Sequence, residues 1–324
     1  MRVIITGAGG FIGRLLVEQL QRAGTLRGSP IQKLILLDFK LHGFAADSRL
    51  RLHEGDITDA TLLRRTLADG ADVVFHLAGL LESAAEKQYA QGRKINLMAS
   101  LELLDQLRNR EKPPIVVFAS SVSVYGPDLP ARVDEHVALK PHTSYGAHKL
   151  MIETHLIDLT RRNELDGRSL RFPELVARPG ASNDFAGSCV SNLIRAVTES
   201  SRYVCPLSPS AKAWCMSARR CVENLVHAAE LVTSEALRCW QLPVLQVTVG
   251  EVFEALIEEF GEARRSLISF EVGAEPEGSP IRSSLLRAPT AKALGFMHDG
   301  TVQLLIRNAL NLPSRPRRTR ANHS

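Results

Sequence analysis

Seven residues near the start, Gly7-Ala8-Gly9-Gly10-Phe11-Ile12-Gly13, constrain this chain more than any other segment. They follow a short apolar run, Arg2–Thr6, and open a stretch, Arg14–Ala23, in which Leu15, Leu16, Leu20 and Ala23 form one helical stripe. Glycines let the turn close tightly and let backbone approach a diphosphate, while helix N–H groups and the helix dipole face the negative charge. A glycine-rich match alone is weak. Between a strand and a helix it predicts dinucleotide binding, with Gly7, Gly10, Phe11, Ile12 and Gly13 as the contacts.

The rest of the first half alternates strand and helix, the pattern of a Rossmann-type, doubly wound parallel sheet in an α/β fold. Lys33–Asp38, Asp72–Ala78, Ile115–Ser120 and Ser169–Val176 read as strands apolar enough to be covered on both faces. Asp59 caps a helix to Asp69, Ile95–Arg108 is a long helix, and Ser144 caps one from Tyr145 to Arg162. Beyond Arg178 the pattern loosens into helices at Val190–Glu199, Arg219–Thr233, Gly250–Phe260 and Thr301–Leu310. We expect a dinucleotide-binding domain over 1–178 and a smaller mixed α/β substrate lobe over 179–312, with some elements returning to the main sheet. Residues 313–324 read as a basic, disordered tail.

Charge and composition exclude several classes. Arg315, Arg317, Arg318 and Arg320 supply four of the net +5 charges, so the body is near neutral and lacks the basic face that nucleic acid requires. No stretch approaches the roughly 18 apolar residues of a membrane span, and the opening residues lack a secretory leader, so a cytoplasmic protein is expected. Five cysteines at irregular spacing, with no C-x-x-C, argue against a disulfide framework or a metal site.

Two ends of a reaction centre are legible. Asp38 closes the second strand, where its carboxylate can accept from adenosine ribose hydroxyls and repel a 2′-phosphate, which favours NAD over NADP despite nearby Arg14 and Lys40. Asp56 and Ile57 follow the third strand and suit contacts to adenine. Tyr145 and Lys149, at i and i+4, share a helix face. A phenol is a poor base at neutral pH, and an adjacent ammonium favours its ionised form. Lowering its pKa by about three units takes roughly 4 kcal/mol.

Taken in order, six motifs resemble the extended short-chain dehydrogenase/reductase family over nearly the whole chain. They are Thr6–Gly13, the Asp38 strand end, Gly55–Asp59, His76–Gly79, Ser120–Gly126 and Ser144–Lys149. The resemblance implies Tyr145 as proton acceptor and donor, Lys149 as the ribose ligand that tunes it, and Ser121, with Ser123 as second choice, as the orienting hydroxyl. It further implies that His76, Leu77, Ala78, Gly79 and Pro173 line the cofactor and that Asn96 supports the site.

Within the family, Val122 and Ser123 stand where dehydratases carry an Asp-Glu pair, so no acid is available to eliminate water. Trp214–Arg220 and Phe172-Pro173-Glu174 also depart from the nucleotide-gripping segments of the sugar epimerases. The second half resembles the D-erythronate dehydrogenase group, through Leu170–Gly180, Val204–Leu207, Trp214–Arg219, Asn224–Leu231 and Leu245–Glu251. That implies oxidation of the 2-hydroxyl of a small sugar acid, whose carboxylate Arg178 or Arg219 would hold as a guanidinium fork. Glu174 departs from the small hydroxyl residue expected there, and an added carboxylate near an acidic substrate is unfavourable. The alternatives are a nucleotide-sugar 4-epimerase with tightly held NAD and a regulator that senses NAD without turnover. The family often dimerises through the Tyr145 helix, and apolar Leu150, Met151 and Leu156 allow a homodimer there.

Overall fold

The computed structural model describes residues 1–108, 110–177, 189–233, 238–271 and 284–312. In chain order the strands that matter here are β1 (Arg2–Thr6), β2 (Lys33–Asp38), β3 (Leu50–Glu54), β4 (Val73–His76), β5 (Ile115–Ser121) and β6 (Asp166–Phe172). The later ones are β7 (Glu174–Val176), β8 (Lys212–Ser217), β9 (Cys239–Gln241) and β10 (Leu245–Thr248). The helices used below are α1 (Phe11–Ala23), α2 (Ala60–Leu67), α3 (Glu82–Lys87), α4 (Ala99–Leu107) and α5 (Ser144–Arg161), followed by α6 (Cys189–Glu199), α7 (Ala218–Glu230), α8 (Val249–Phe260) and α9 (Val302–Ala309).

Strand β1 is buried from Val3 onward because it is an interior strand and helices cover both faces of its sheet. The seven strands run β9-β6-β5-β4-β1-β2-β3, all parallel, which is the doubly wound Rossmann architecture. The chain adds strands outward from β1 on one side, then crosses back to β4. This leaves a crevice at the carboxyl ends of β1 and β4, where such sheets bind ligands. On one face Val3, Ile5, Leu16 and Leu20 pack with Trp214 and Trp240; on the other Ile4 and Val74 pack with Leu103 and Leu156. Cys239–Gln241 reaches back from the second half to add the edge strand beside β6.

The second half carries its own small sheet, β7-β8-β10, and its own core, in which Val176, Cys215 and Val247 meet Leu193, Val252 and Leu256 of α6 and α8. Four of the five cysteines are buried, and none is bonded to another.

Several local expectations are corrected. Ser169–Val176 is two strands, because Pro173 has no N–H to continue the ladder; the chain leaves the main sheet at Phe172 and starts the second at Glu174. Ile95–Arg108 begins as a π-turn, Arg93–Met98, before becoming α4, a distortion frequent near functional sites. Thr143, not Ser144, caps α5: its backbone is extended and its hydroxyl accepts from the Gly146 N–H at 3.1 Å. The N–H of Ser144 is held instead by Glu86 at 2.7 Å. Leu156 is buried in the chain's own core, leaving Met151 as the exposed apolar side chain of that helix. Arg178 and the tail 313–324 lie outside the described residues.

Candidate active site

The crevice is a cavity of about 1130 Å³ that runs from Asp38, past the glycine turn, to Tyr145 and Glu174. The turn is shaped for close approach. Gly7 holds φ at +73°, and a Cβ there would stand 2.6 Å from the Ala78 nitrogen. One at Gly13 would stand 2.1 Å from the Gly7 carbonyl oxygen. The bare backbone of this turn therefore forms part of the wall, with Gly10, Phe11 and Ile12 beside it. At one end the Gly9 N–H donates to Asp38 Oδ2 at 2.8 Å and the Phe39 N–H to Oδ1 at 2.6 Å, which fixes the carboxylate. Arg14 donates to the carbonyls of Gly9 and His42, at 2.8 and 2.7 Å, so its guanidinium is already held by backbone. Asp56 and Ile57 line the same end; Leu77, Ala78 and Gly79 line the middle.

At the other end α5 presents Tyr145 and Lys149 to the cavity beside Ser121, Ser123 and Pro173. Lys149 is buried; its Nζ donates to the Ala119 carbonyl at 2.7 Å and lies 5.5 Å from the Tyr145 ring centre. Burial lowers its pKa to about 8, against the pull of Glu153 one turn on. It is still mostly charged at neutral pH. The Ser121 hydroxyl donates to that of Ser123 at 3.0 Å, and Ser123 donates to Glu82 at 3.0 Å. Glu82 also accepts from Thr143 at 2.7 Å, so one carboxylate ties the serine turn to the cap of α5.

Behind this wall lies a buried ion pair. Glu153 of α5 accepts from Arg171 of β6 at 2.9 Å and from the Ser120 hydroxyl at 2.5 Å, and Arg171 also donates to the Tyr125 hydroxyl at 3.1 Å. The network locks α5, β5 and β6 together next to Ser121.

Two expected site residues, His76 and Arg219, stand elsewhere, and Asn96 supports the wall without lining it. His76 does not line the cavity: its ring joins the hydroxyls of Thr6 and Ser100 at 2.7 and 2.8 Å, and burial, with Lys149 nearby, lowers its pKa to about 3. Asn96 braces the wall from behind, accepting from the Leu80 N–H at 2.7 Å and donating to its carbonyl at 2.9 Å. Arg219 pairs with Glu223 at 3.2 Å, beside a separate hollow lined by Glu258 and Arg307, and does not reach the crevice.

The sequence reading missed Glu82, Glu86 and the Glu153–Arg171 pair. Their partners lie between 18 and 61 positions away, and no local pattern marks them.

Residues 3–215 match the model of a family described as "NAD dependent epimerase/dehydratase family". The chain is similar to a D-erythronate dehydrogenase from Cupriavidus necator, 38% identical over 95% of this chain and 97% of that protein. It is also similar to one from Haemophilus influenzae, 32% identical over 94% and 98%. A solved structure described as the nucleoside-diphosphate-sugar epimerase from Agrobacterium tumefaciens superposes with a TM-score of 0.88, at 30% identity, over 96% of this chain and 94% of that one.

Proposed function

The chain belongs to the NAD-dependent epimerase/dehydratase family, and from that premise we propose that it oxidises the 2-hydroxyl of a small, D-erythronate-like sugar acid to the 2-oxo acid. It is an NAD-dependent oxidoreductase acting on a CH–OH group. The observation that carries the reading is the convergence of Tyr145, Lys149 and Ser121 on one cavity with a glycine turn that leaves room for a diphosphate.

The wall fits the cofactor. The Gly7–Gly13 backbone would hold the diphosphate, Asp38 the adenosine ribose, and Asp56 and Ile57 the adenine side. NAD⁺, when bound, supplies the acceptor for the hydride. The protein's own work is proton transfer and orientation. Ser121, in a hydroxyl chain anchored by Glu82, orients the substrate oxygen. Tyr145 takes the hydroxyl proton, and the Lys149 charge favours the phenolate that receives it. Asp38, already fixed by two backbone donors, repels a 2′-phosphate.

The test is a screen of NAD⁺ reduction with four- and five-carbon aldonates. NADH accumulating in free solution with one of them supports the reading. Likeness to the structure described as a sugar epimerase favours a second reading. NAD that copurifies with the chain, together with isomerisation of a UDP-sugar and no net NADH, would establish that one instead. The exposed Met151 face of α5 is our proposed site for a homodimer contact.

A further inference from the structure

We propose that Glu174, whose two carboxyl oxygens are buried without a hydrogen-bond partner beside the substrate end of the cavity, selects an acidic substrate by donating a hydrogen bond to its carboxylate. The inference rests on the dehydrogenase reading above and names the residue that would recognise the acid group.

Position carries the first part of the case. Phe172 pairs with Ser121 across β6 and β5, so Glu174 stands two residues beyond the orienting serine, where Pro173 has turned the chain out of the sheet. The residue is part of the cavity wall together with Ser191 and Trp214, with its carboxyl oxygens buried behind the surface. A buried carboxyl group without a partner is destabilising, and such a group in a binding cavity is what a ligand can satisfy.

Chemistry carries the second. The cations on the described cavity wall are Arg14 and Lys40 at the nucleotide end and Lys149, which donates to Ala119. The substrate end offers no other ammonium or guanidinium among the described residues. A carboxylate there needs a donor, and a protonated carboxyl is one, forming a charge-assisted O–H···O⁻ bond. Burial pushes the Glu174 pKa up to about 8, so the group is largely protonated at neutral pH. Among the described residues, the titratable groups that face it are the thiols of Cys189 on α6 and Cys215 on β8, both pushed up by burial and neutral. Glu174 is thus a neutral donor where an ionised acid would repel the substrate.

The experiment measures KM for the preferred aldonate from pH 6.5 to 9.5 in wild type, Glu174→Gln and Glu174→Leu, with Tm recorded for each. The wild-type KM should rise above pH 8 by about tenfold per unit, as one proton is lost. Glu174→Gln keeps a neutral donor, so its KM should not share that rise. Titration of Lys149 is common to both proteins and cancels in the comparison. Glu174→Leu should raise KM at pH 7 by about ten- to a hundredfold with little change in kcat. If that variant fails to fold, the wild-type and Glu174→Gln curves decide alone. Parallel curves for those two, or a Glu174→Leu KM equal to wild type, overturn the inference while leaving the dehydrogenase reading intact. Wild type that oxidises no aldonate overturns both.

Discussion

The ammonium of Lys149 stands 5.5 Å from the centre of the Tyr145 ring, held there by a 2.7 Å bond to the Ala119 carbonyl. Helix spacing brings the two side chains to one face, and the carbonyl at the end of β5 fixes the lysine between helix and sheet. A cation at this range, partly desolvated, favours the phenolate. Lys149→Met should therefore lower kcat/KM by about ten- to a thousandfold at pH 7. Steady-state NADH production checks this; a variant within twofold of wild type would remove the lysine from the chemistry.

Asp38 is fixed by the N–H groups of Gly9 and Phe39. Asp38→Ser removes the charge that repels a 2′-phosphate and keeps a short acceptor. We expect the KM for NAD⁺ to rise about tenfold and the preference over NADP⁺ to narrow by a similar factor, since one charge-assisted hydrogen bond contributes about 1.5–3 kcal/mol. Parallel kinetics with the two cofactors test this.

Breaking the buried Glu153–Arg171 pair should cost far more stability than breaking an exposed one. Arg171→Met leaves the Glu153 carboxylate buried without its guanidinium partner, a loss of about 3–5 kcal/mol. Adding Glu153→Leu removes the orphaned charge and should recover much of that loss. Urea unfolding of the two variants checks the sign, which reverses if the pair is merely incidental.

His76 makes stability depend on acid. Its folded pKa, about 3, lies below the ordinary value of 6.5, so the unfolded chain binds the extra proton between those limits. The contribution is present above pH 6.5 and is lost as pH falls toward 3, at about 1.4 kcal/mol per unit, or roughly 2 kcal/mol by pH 5. Urea midpoints for wild type and His76→Gln at pH 7 and pH 5 should show the steeper fall in wild type. Equal falls would place the acid sensitivity elsewhere.

What the sequence revealed, and what it hid, follows the range of the interactions. The glycine turn, Asp38 and the Tyr145–Lys149 pair are local patterns on single elements, and the cavity unites them. The parallel sheet follows from apolar runs that alternate with helical stripes. Edge strand β9 was hidden because three residues, Cys239–Gln241, carry no period of their own. Glu82 was hidden because it sits in a six-residue helix and acts on Ser123 and Thr143 from 41 and 61 positions away. The resemblance places His76 at the cofactor; its ring instead faces inward, where burial demands hydrogen-bond partners, and Asn96 supports the cavity wall from behind. Arg219 had a partner four residues on, Glu223, within its own helix.

The proton acceptor is the centre of the account, and Tyr145→Phe measures it most directly. The assay is NADH production from the preferred aldonate at saturating NAD⁺, with NAD⁺ affinity measured by equilibrium titration of the same protein. We predict that kcat falls by about a hundred- to ten-thousandfold while the affinity changes little, because the phenol acts on the substrate proton. A variant that keeps more than a few per cent of wild-type NADH production would contradict the assignment.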